Sequence, residues 1–203
     1  MASMKLNVQV DSARTMHVLD AMQTRLRNPA PLLRSVGQAL AENIRLGFTG
    51  SQDPWGAAWK ALKPATIKAR RGGGVGGVQA LLDTGRLRNS IAVRPVGNTA
   101  VEVGTTVAYA AIHQWGGTVQ HAARSIRVRL RTVTDDKGRK VSRFAKDSHK
   151  KARTVWGEAQ AWQVNIPARP FMPMRPGGAV DLPAAWAAEV RRLAAAWVLP
   201  GGS

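Results

Sequence analysis

Val101–Gly117 reads VEVGTTVAYAAIHQWGG and changes period halfway along. Val101, Val103 and Thr105 alternate with Glu102 and Gly104, the pattern of a strand with one half-buried face. Ala108, Ala111, Ile112 and Trp115 then fall at helical spacing, and Gly116-Gly117 stops the turn. The expectation is a strand feeding a short helix, with Trp115 largely buried as a core anchor. Tyr109 and Trp115 each bring a large apolar area with one polar atom. A second compact signal, Ile166–Met174 (IPARPFMPM), follows a long basic excursion. Its three prolines remove backbone donors and hold the chain extended, which excludes a helix or a central strand. Phe171 is left as an anchor, with Arg169 free to pair or stack. The two pieces are expected to be spatial neighbours. Phe171 should pack near Tyr109–Trp115, within the chain or against a neighbouring subunit, and the prolines should lie beside a sheet edge.

Upstream of this centre, Lys5–Val10 alternates as a strand, and a helix to about Arg27 is expected to bury Met16, Leu19, Met22 and Leu26. A second helix over about Pro31–Leu46 carries the row Leu32, Val36, Leu40 and Ile44, widened by Leu33. Phe48–Lys63 reads as a loop in which Trp55 and Trp59, at i and i+4 after Pro54, can share one face of a helical turn and cover the core edge, with ligand stacking as the alternative. Pro64–Arg71 reads as a short helix, and Gly72–Gly77 as a flexible linker. Asp83 or Thr84 caps a turn that turns Leu82, Leu87 and Ile91 to one side. Ile91–Val96 and Ala100–Thr105 form a hairpin about Gly97-Asn98. Downstream, Trp186, Val190, Leu193 and Trp197 mark a closing helix that begins near Asp181 and Pro183.

At 203 residues and 44% hydrophobic content, the chain fits one domain over residues 1–203, with an arm over 118–165 inserted in it. The fold class is α+β: a small antiparallel sheet flanked by helices, with a long basic β-ribbon or loop as the arm. The sheet is expected to contain Leu6–Val10, Ile91–Val96 and Ala100–Thr105, covered by the helices around Leu32–Ile44 and Ala184–Trp197. No cysteine is present, so disulfides and thiolate metal sites are excluded. The opening residues lack the apolar run of a signal peptide. Glu189, Arg191 and Arg192 interrupt Leu182–Leu199, so a soluble protein without a membrane span is expected.

The net charge of +18 draws nucleic acid or acidic protein surfaces. Arg124–Arg153 holds twelve Lys/Arg against three Asp, a net +9. Within it Ile126, Val128 and Leu130 alternate with Arg127, Arg129 and Arg131, so a strand puts apolar groups on one face and guanidinium groups on the other. Asp135–Gly138 turns that strand, and the return strand is expected to include Trp162, Val164 and Ile166. Val141–Glu158, between them, is expected to be ribbon or partly disordered loop. Arg127, Arg129, Arg131, Arg139 and Lys140 are the candidate contacts to a partner or to DNA. Tyr109, Trp115, Arg169 and Phe171 are the candidates for packing or a subunit interface.

No residues read as catalytic, cofactor-binding or metal-binding. His113 and His121 lack zinc spacing, Asp135-Asp136 sit in a turn, no serine lies in a G-x-S-x-G elbow, and the glycine run lacks the Lys-Ser/Thr of a phosphate loop.

Taken in order, LLDTGRLRNSI (81–91), VGTTVAYAAIHQWGG (103–117) and IPARPFMP (166–173), together with DPWGAAWKALKPAT (53–66), resemble the virion morphogenesis proteins of tailed phages, the Mu-like G proteins. The resemblance spans most of Phe48–Met174. It implies a non-enzymatic α+β tail-completion factor of the neck, needed for head–tail joining and assembled in the host cytoplasm into the virion. It implies partners too: other copies in a ring matching the sixfold symmetry of tails, tail tube or terminator and neck proteins, and genome DNA in the lumen. The alternative is a nucleic-acid-binding protein that uses the arm as a β-ribbon. A hydrolase would need a metal or nucleophile that the sequence does not offer.

Overall fold

The computed structural model describes residues 12–70 and 77–199. The strand expected over Lys5–Val10 and the glycine run up to Gly76 lie outside the described residues. The chain is mixed α+β and divides into two compact units, one of residues 1–116 with 167–203 and one of Gly117–Ile166.

In the first unit, helices α1 (Ser12–Arg27) and α2 (Ala30–Gly50) are separated by Asn28-Pro29. Pro31 stands in the first turn of α2, where its missing N–H is no loss. The helix ends at Ser51 in a left-handed conformation, φ 52°, whose N–H reaches Phe48 O. It therefore runs a turn beyond the expected end and takes in Phe48, expected in the following loop. Its buried row is Gly37, Ala41, Ile44 and Phe48. The expected row shares only Ile44 with it; Leu32, Leu33, Val36 and Leu40 flank it half-buried.

Gly37 shows why the inward row carries small residues. A Cβ there would stand 2.6 Å from Val93 Cγ1 and 2.8 Å from Val101 Cγ2, closer than side chains tolerate. The helix thus lies directly on the hairpin of β1 (Ala92–Val96) and β2 (Ala100–Gly104). That hairpin turns at Gly97, φ 59°, as expected from Gly97-Asn98. Short helices α3 (Pro64–Ala69) and α4 (Arg86–Asn89) precede it, and Leu82, Leu87 and Ile91 are all buried as their spacing predicts.

Helix α5 (Ala110–Trp115) ends at Gly116, φ 73°. The final helix α6 (Ala184–Val198) lies against α2, where Asn43 Nδ2 donates to Glu189 Oε2 at 2.9 Å. Its row Trp186, Val190, Leu193 and Trp197 is half-buried. Arg25 of α1 donates to Trp197 O at 2.7 Å and sets its guanidinium over the indole ring. Helix α1 departs from expectation: Met16, Leu19 and Leu26 are 52–60% exposed, so the row expected in the core faces outward. Among the described residues α6 lies beside it, where Arg25 meets Trp197.

The core is Ala41, Ile44, Phe48, Trp59, Ala80, Leu87, Ile91, Ala110 and Phe171. Three aromatic rings form its centre: Phe48 meets Trp59 edge-on at 5.5 Å and Phe171 at 5.4 Å. Trp55 and Trp59 do not share a face. The loop between α2 and α3 folds tightly on Asp53, whose Oδ1 accepts the N–H groups of Trp55 and Ala57. That turn buries Trp59 and leaves Trp55 41% exposed beneath Arg175.

The second unit consists of five strands: β3 (Gly117–His121), β4 (Arg124–Thr134), β5 (Lys140–Phe144), β6 (Arg153–Ala159) and β7 (Trp162–Ile166). β4 is the centre of a β5–β4–β6 sheet, and β3 pairs with β7 in a two-stranded ribbon. The return strand expected to pair with β4, Trp162–Ile166, pairs with β3 instead. Val141–Glu158, expected as ribbon or partly disordered loop, supplies both of β4's partners. The pairing offset of β3–β7 continues unchanged into β4–β6, so the two ladders are one long hairpin interrupted at 122–123 and 160–161.

Candidate functional site

Two arrangements bring the candidate residues together, one in each unit. The first surrounds the proline segment after Ile166. With Pro167, Pro170 and Pro173 in place, only a few N–H groups remain to anchor it, and buried ones need acceptors. Gln114 of α5 meets that need: its Oε1 accepts from Phe171 N at 2.9 Å and Met172 N at 3.0 Å, while its Nε2 donates to Met172 O at 3.1 Å. Two donors against the oxygen and one acceptor against the nitrogen fix the amide's orientation. One residue earlier in α5, His113 O accepts from Arg169 N at 2.7 Å. The segment therefore runs beside α5, where side-chain amide bonds stand in for the ladder it cannot form.

Arg169 is buried, and its guanidinium donates to Lys60 O through Nε (3.0 Å) and Nη2 (2.8 Å). Trp59 Nε1 donates to Pro170 O at 2.8 Å. The loop before α3 and the proline segment are thereby tied at consecutive residues on both sides. Burial, reinforced by the nearby Arg70, lowers the Arg169 pKa. Burial, then the charge of Arg169, lowers that of His113, whose Nδ1 is buried without a hydrogen-bond partner.

Phe171 does lie beside Tyr109–Trp115, as expected, through Gln114. Trp115 does not occupy the core: it is 42% exposed, and Tyr109 is 40% exposed with its ring edge-on to His113. The reason is rotation of the short helix. It turns Ala110 and Gln114, four residues apart, inward, and Trp115, one position on, points about 100° away. Of the four packing candidates, Arg169 and Phe171 hold the chain together, and Tyr109 and Trp115 present surface.

The second arrangement is the β5–β4–β6 sheet. No residue of Gly117–Ile166 is fully buried. Directly paired residues share a face, and the registers separate two chemistries. Ile126, Val128 and Leu130 share one face with Val155 and Phe144; Arg127, Arg129 and Arg131 share the other with Trp156 and Arg143. Arg127 stands opposite Trp156, which is 70% exposed, and Arg131 stands opposite Arg143.

The five basic candidates do not act as one set. The guanidinium of Arg129 donates to Asp147 O and His149 O and pairs with the Asp147 carboxylate, so it holds the 145–152 connection to the sheet. Arg139 pairs with Asp135 at 3.0 Å inside the β4–β5 turn. Asp135 also accepts from the backbone N–H groups of Arg139 and Lys137; these bonds, the Arg139 N–H first, lower its pKa. Lys140 pairs with Thr134 on the apolar side. Only Arg127 and Arg131 stand with free guanidinium groups on the cationic face, joined there by Arg143.

Gln114, Arg143, Trp156 and Phe144 were missed from sequence. For Gln114 a signal existed: a proline-rich segment that keeps two adjacent N–H groups requires a buried acceptor nearby. Among the described residues, no group of three or more His, Asp or Glu could hold a metal ion, and no helix is long and apolar enough to cross a membrane.

Residues 10–181 match the phage virion morphogenesis family. The chain is also similar to the "Putative capsid assembly protein G" of Escherichia phage Mu: 33% identical over 123 residues, covering 60% of this chain and 78% of that protein. No solved structure matches. With the family match running through both units, the chain belongs to the phage virion morphogenesis family.

Proposed function

We propose that this protein is a non-enzymatic structural component of the neck that completes the tail and permits head–tail joining. The observation that carries the reading is the second unit itself. Family membership sets the process, virion morphogenesis. Within it, a thin sheet with no buried residue and a free cationic face (Arg127, Arg131, Arg143) is built to be completed by contact with something else. In a neck, that face grips an acidic surface of the tail or lines the lumen that the genome passes. The protein acts as a homo-oligomeric ring matched to the sixfold tail, in contact with tail tube or terminator and neck proteins.

Native mass measurement, alone and with purified tail tubes, tests this reading. The expected result is a ring or a tail-end complex that weakens when Arg127 and Arg131 are both replaced by Ser. A monomer that leaves tail tubes unbound would count against it.

A second reading has one observation in its favour. Trp156 lies exposed directly across from Arg127, and an aromatic ring beside guanidinium groups can stack a base while the cations meet phosphates. A dedicated nucleic-acid binder should lose affinity with a log–log salt slope near 0.9 per phosphate engaged. A docking or lumen-lining face should show weak DNA binding.

A further inference from the structure

The cationic face accounts for half of the β5–β4–β6 sheet. The other half is unused. Ile126, Val128 and Leu130 run down its middle strand, with Val155 beside Val128 and Phe144 beside Leu130. Phe144 is 82% exposed and Val155 38% exposed, and within the Gly117–Ile166 unit no residue is fully buried. An antiparallel sheet can leave one face in water, but that face is ordinarily the polar one. Here both faces meet solvent, and the apolar one contains a nearly bare phenylalanine in a segment of twelve Lys/Arg and four Asp/Glu. A contiguous apolar patch with a charged border marks an interaction site.

The border shows what fits. Three cations share this face by register: Arg124 at one end, Arg153 across Leu130 from Phe144, and Lys140 at the other end. The carboxylates do not balance them. Asp135 is committed to Arg139 in the β4–β5 turn, Asp136 stands in that same turn beyond the end of the sheet, Asp147 lies beside Arg129, and Glu158 pairs with Ser125, which alternates onto the cationic side. Two copies of this sheet stacked face to face would bring Arg124, Arg153 and Lys140 against the same cations of the other copy. A surface with an apolar centre and carboxylates around it would instead satisfy both the patch and its border.

We infer that the apolar face formed by Ile126, Val128, Leu130, Phe144 and Val155 is a docking surface for another protein, one that presents an apolar patch rimmed by Asp and Glu. The partner supplies the missing second layer of the sheet. The cationic face on the reverse stays free, so one unit can hold two different neighbours. This goes beyond the proposed neck role, which uses only the arginine side.

The test uses the full chain, produced during particle assembly, with a photo-crosslinking phenylalanine analogue replacing Phe144 and, in a separate variant, Trp156. Adducts are sequenced by mass spectrometry. The expected result is an adduct from position 144 to a different protein, at a site where apolar residues are flanked by carboxylates. Position 156, on the reverse face, should not form that adduct. The double variant Arg124→Glu, Arg153→Glu should lower the yield about tenfold, with melting temperature unchanged. An adduct to a second copy, to nucleic acid or to nothing at all would overturn the inference. So would the same adduct from both faces, or a yield indifferent to the charge reversal. An acidic partner found outside the virion would uphold the docking surface while refuting the neck role, so the two fail separately.

Discussion

Replacing Gln114 by Leu keeps the volume and apolar stem of the side chain and removes only its amide. Three backbone groups then lose their partner: the N–H groups of Phe171 and Met172 and the carbonyl of Met172. A buried group left unsatisfied costs about 1–3 kcal/mol. Phe171 is buried and takes a value near the middle of that range; Met172 is half-buried, so water can partly meet its two groups. The sum is about 3 kcal/mol, which for a chain of this size lowers the melting temperature by roughly 6–12 °C. Trp115→Ala supplies the contrast one residue along. Its 42% exposure leaves far less packing to lose, and the expected fall is only about 2–4 °C. Differential scanning calorimetry of the two variants decides the matter. A Gln114→Leu protein that melts with the wild type, or a Trp115→Ala protein that melts lower than Gln114→Leu, would refute the assignment of the inward face of α5.

Gly37→Ala forces a methyl group to within 3 Å of both Val93 and Val101, and overpacking of that kind costs about 1–3 kcal/mol. The gain of about 1 kcal/mol in helix propensity offsets only part of this, so calorimetry should show a net loss of stability. His113 has its pKa held below its ordinary 6.5 in the fold, so between the two values the unfolded chain binds more protons and the fold loses stability as pH falls. Melting temperature should therefore drop below about pH 6.5 more steeply in the wild type than in His113→Gln. Arg129→Ser should raise amide hydrogen exchange across 145–152, where Arg129 holds two carbonyls, and Arg127→Ser should leave that exchange unchanged.

What the sequence could disclose follows the range of the interactions involved. The hairpin about Gly97, the glycine stop of α5, the buried trio Leu82, Leu87 and Ile91, and the alternation of β4 are all set within a few residues of chain, and all were legible. The partners of β4 were not. Val141–Glu158 is so charged that its hydrophobic signal is weak, and its pairing is fixed by registration against β4. Trp115 failed for a related reason. A helix of six residues presents too little periodicity to define its inward face, and an amide's bonds to a segment 57–58 residues away outweighed the apolar row. Similarly, Met16, Leu19 and Leu26 form a sound amphipathic row in α1, but a row specifies only that something can cover it. The basic candidates were recognised as a charge run; which of them are committed to Asp135, Asp147 and the carbonyl of His149 depends on the turn geometry of the folded sheet.

The central claim, that this chain joins finished heads to finished tails, is tested most directly by electron microscopy of particles made when the phage lacks it. The account predicts DNA-filled heads and full-length tails side by side but unjoined, with joining restored by the wild-type chain and not by Arg127→Ser, Arg131→Ser. Missing or misformed heads would place the protein in capsid assembly instead, and normal joined virions would contradict the account outright.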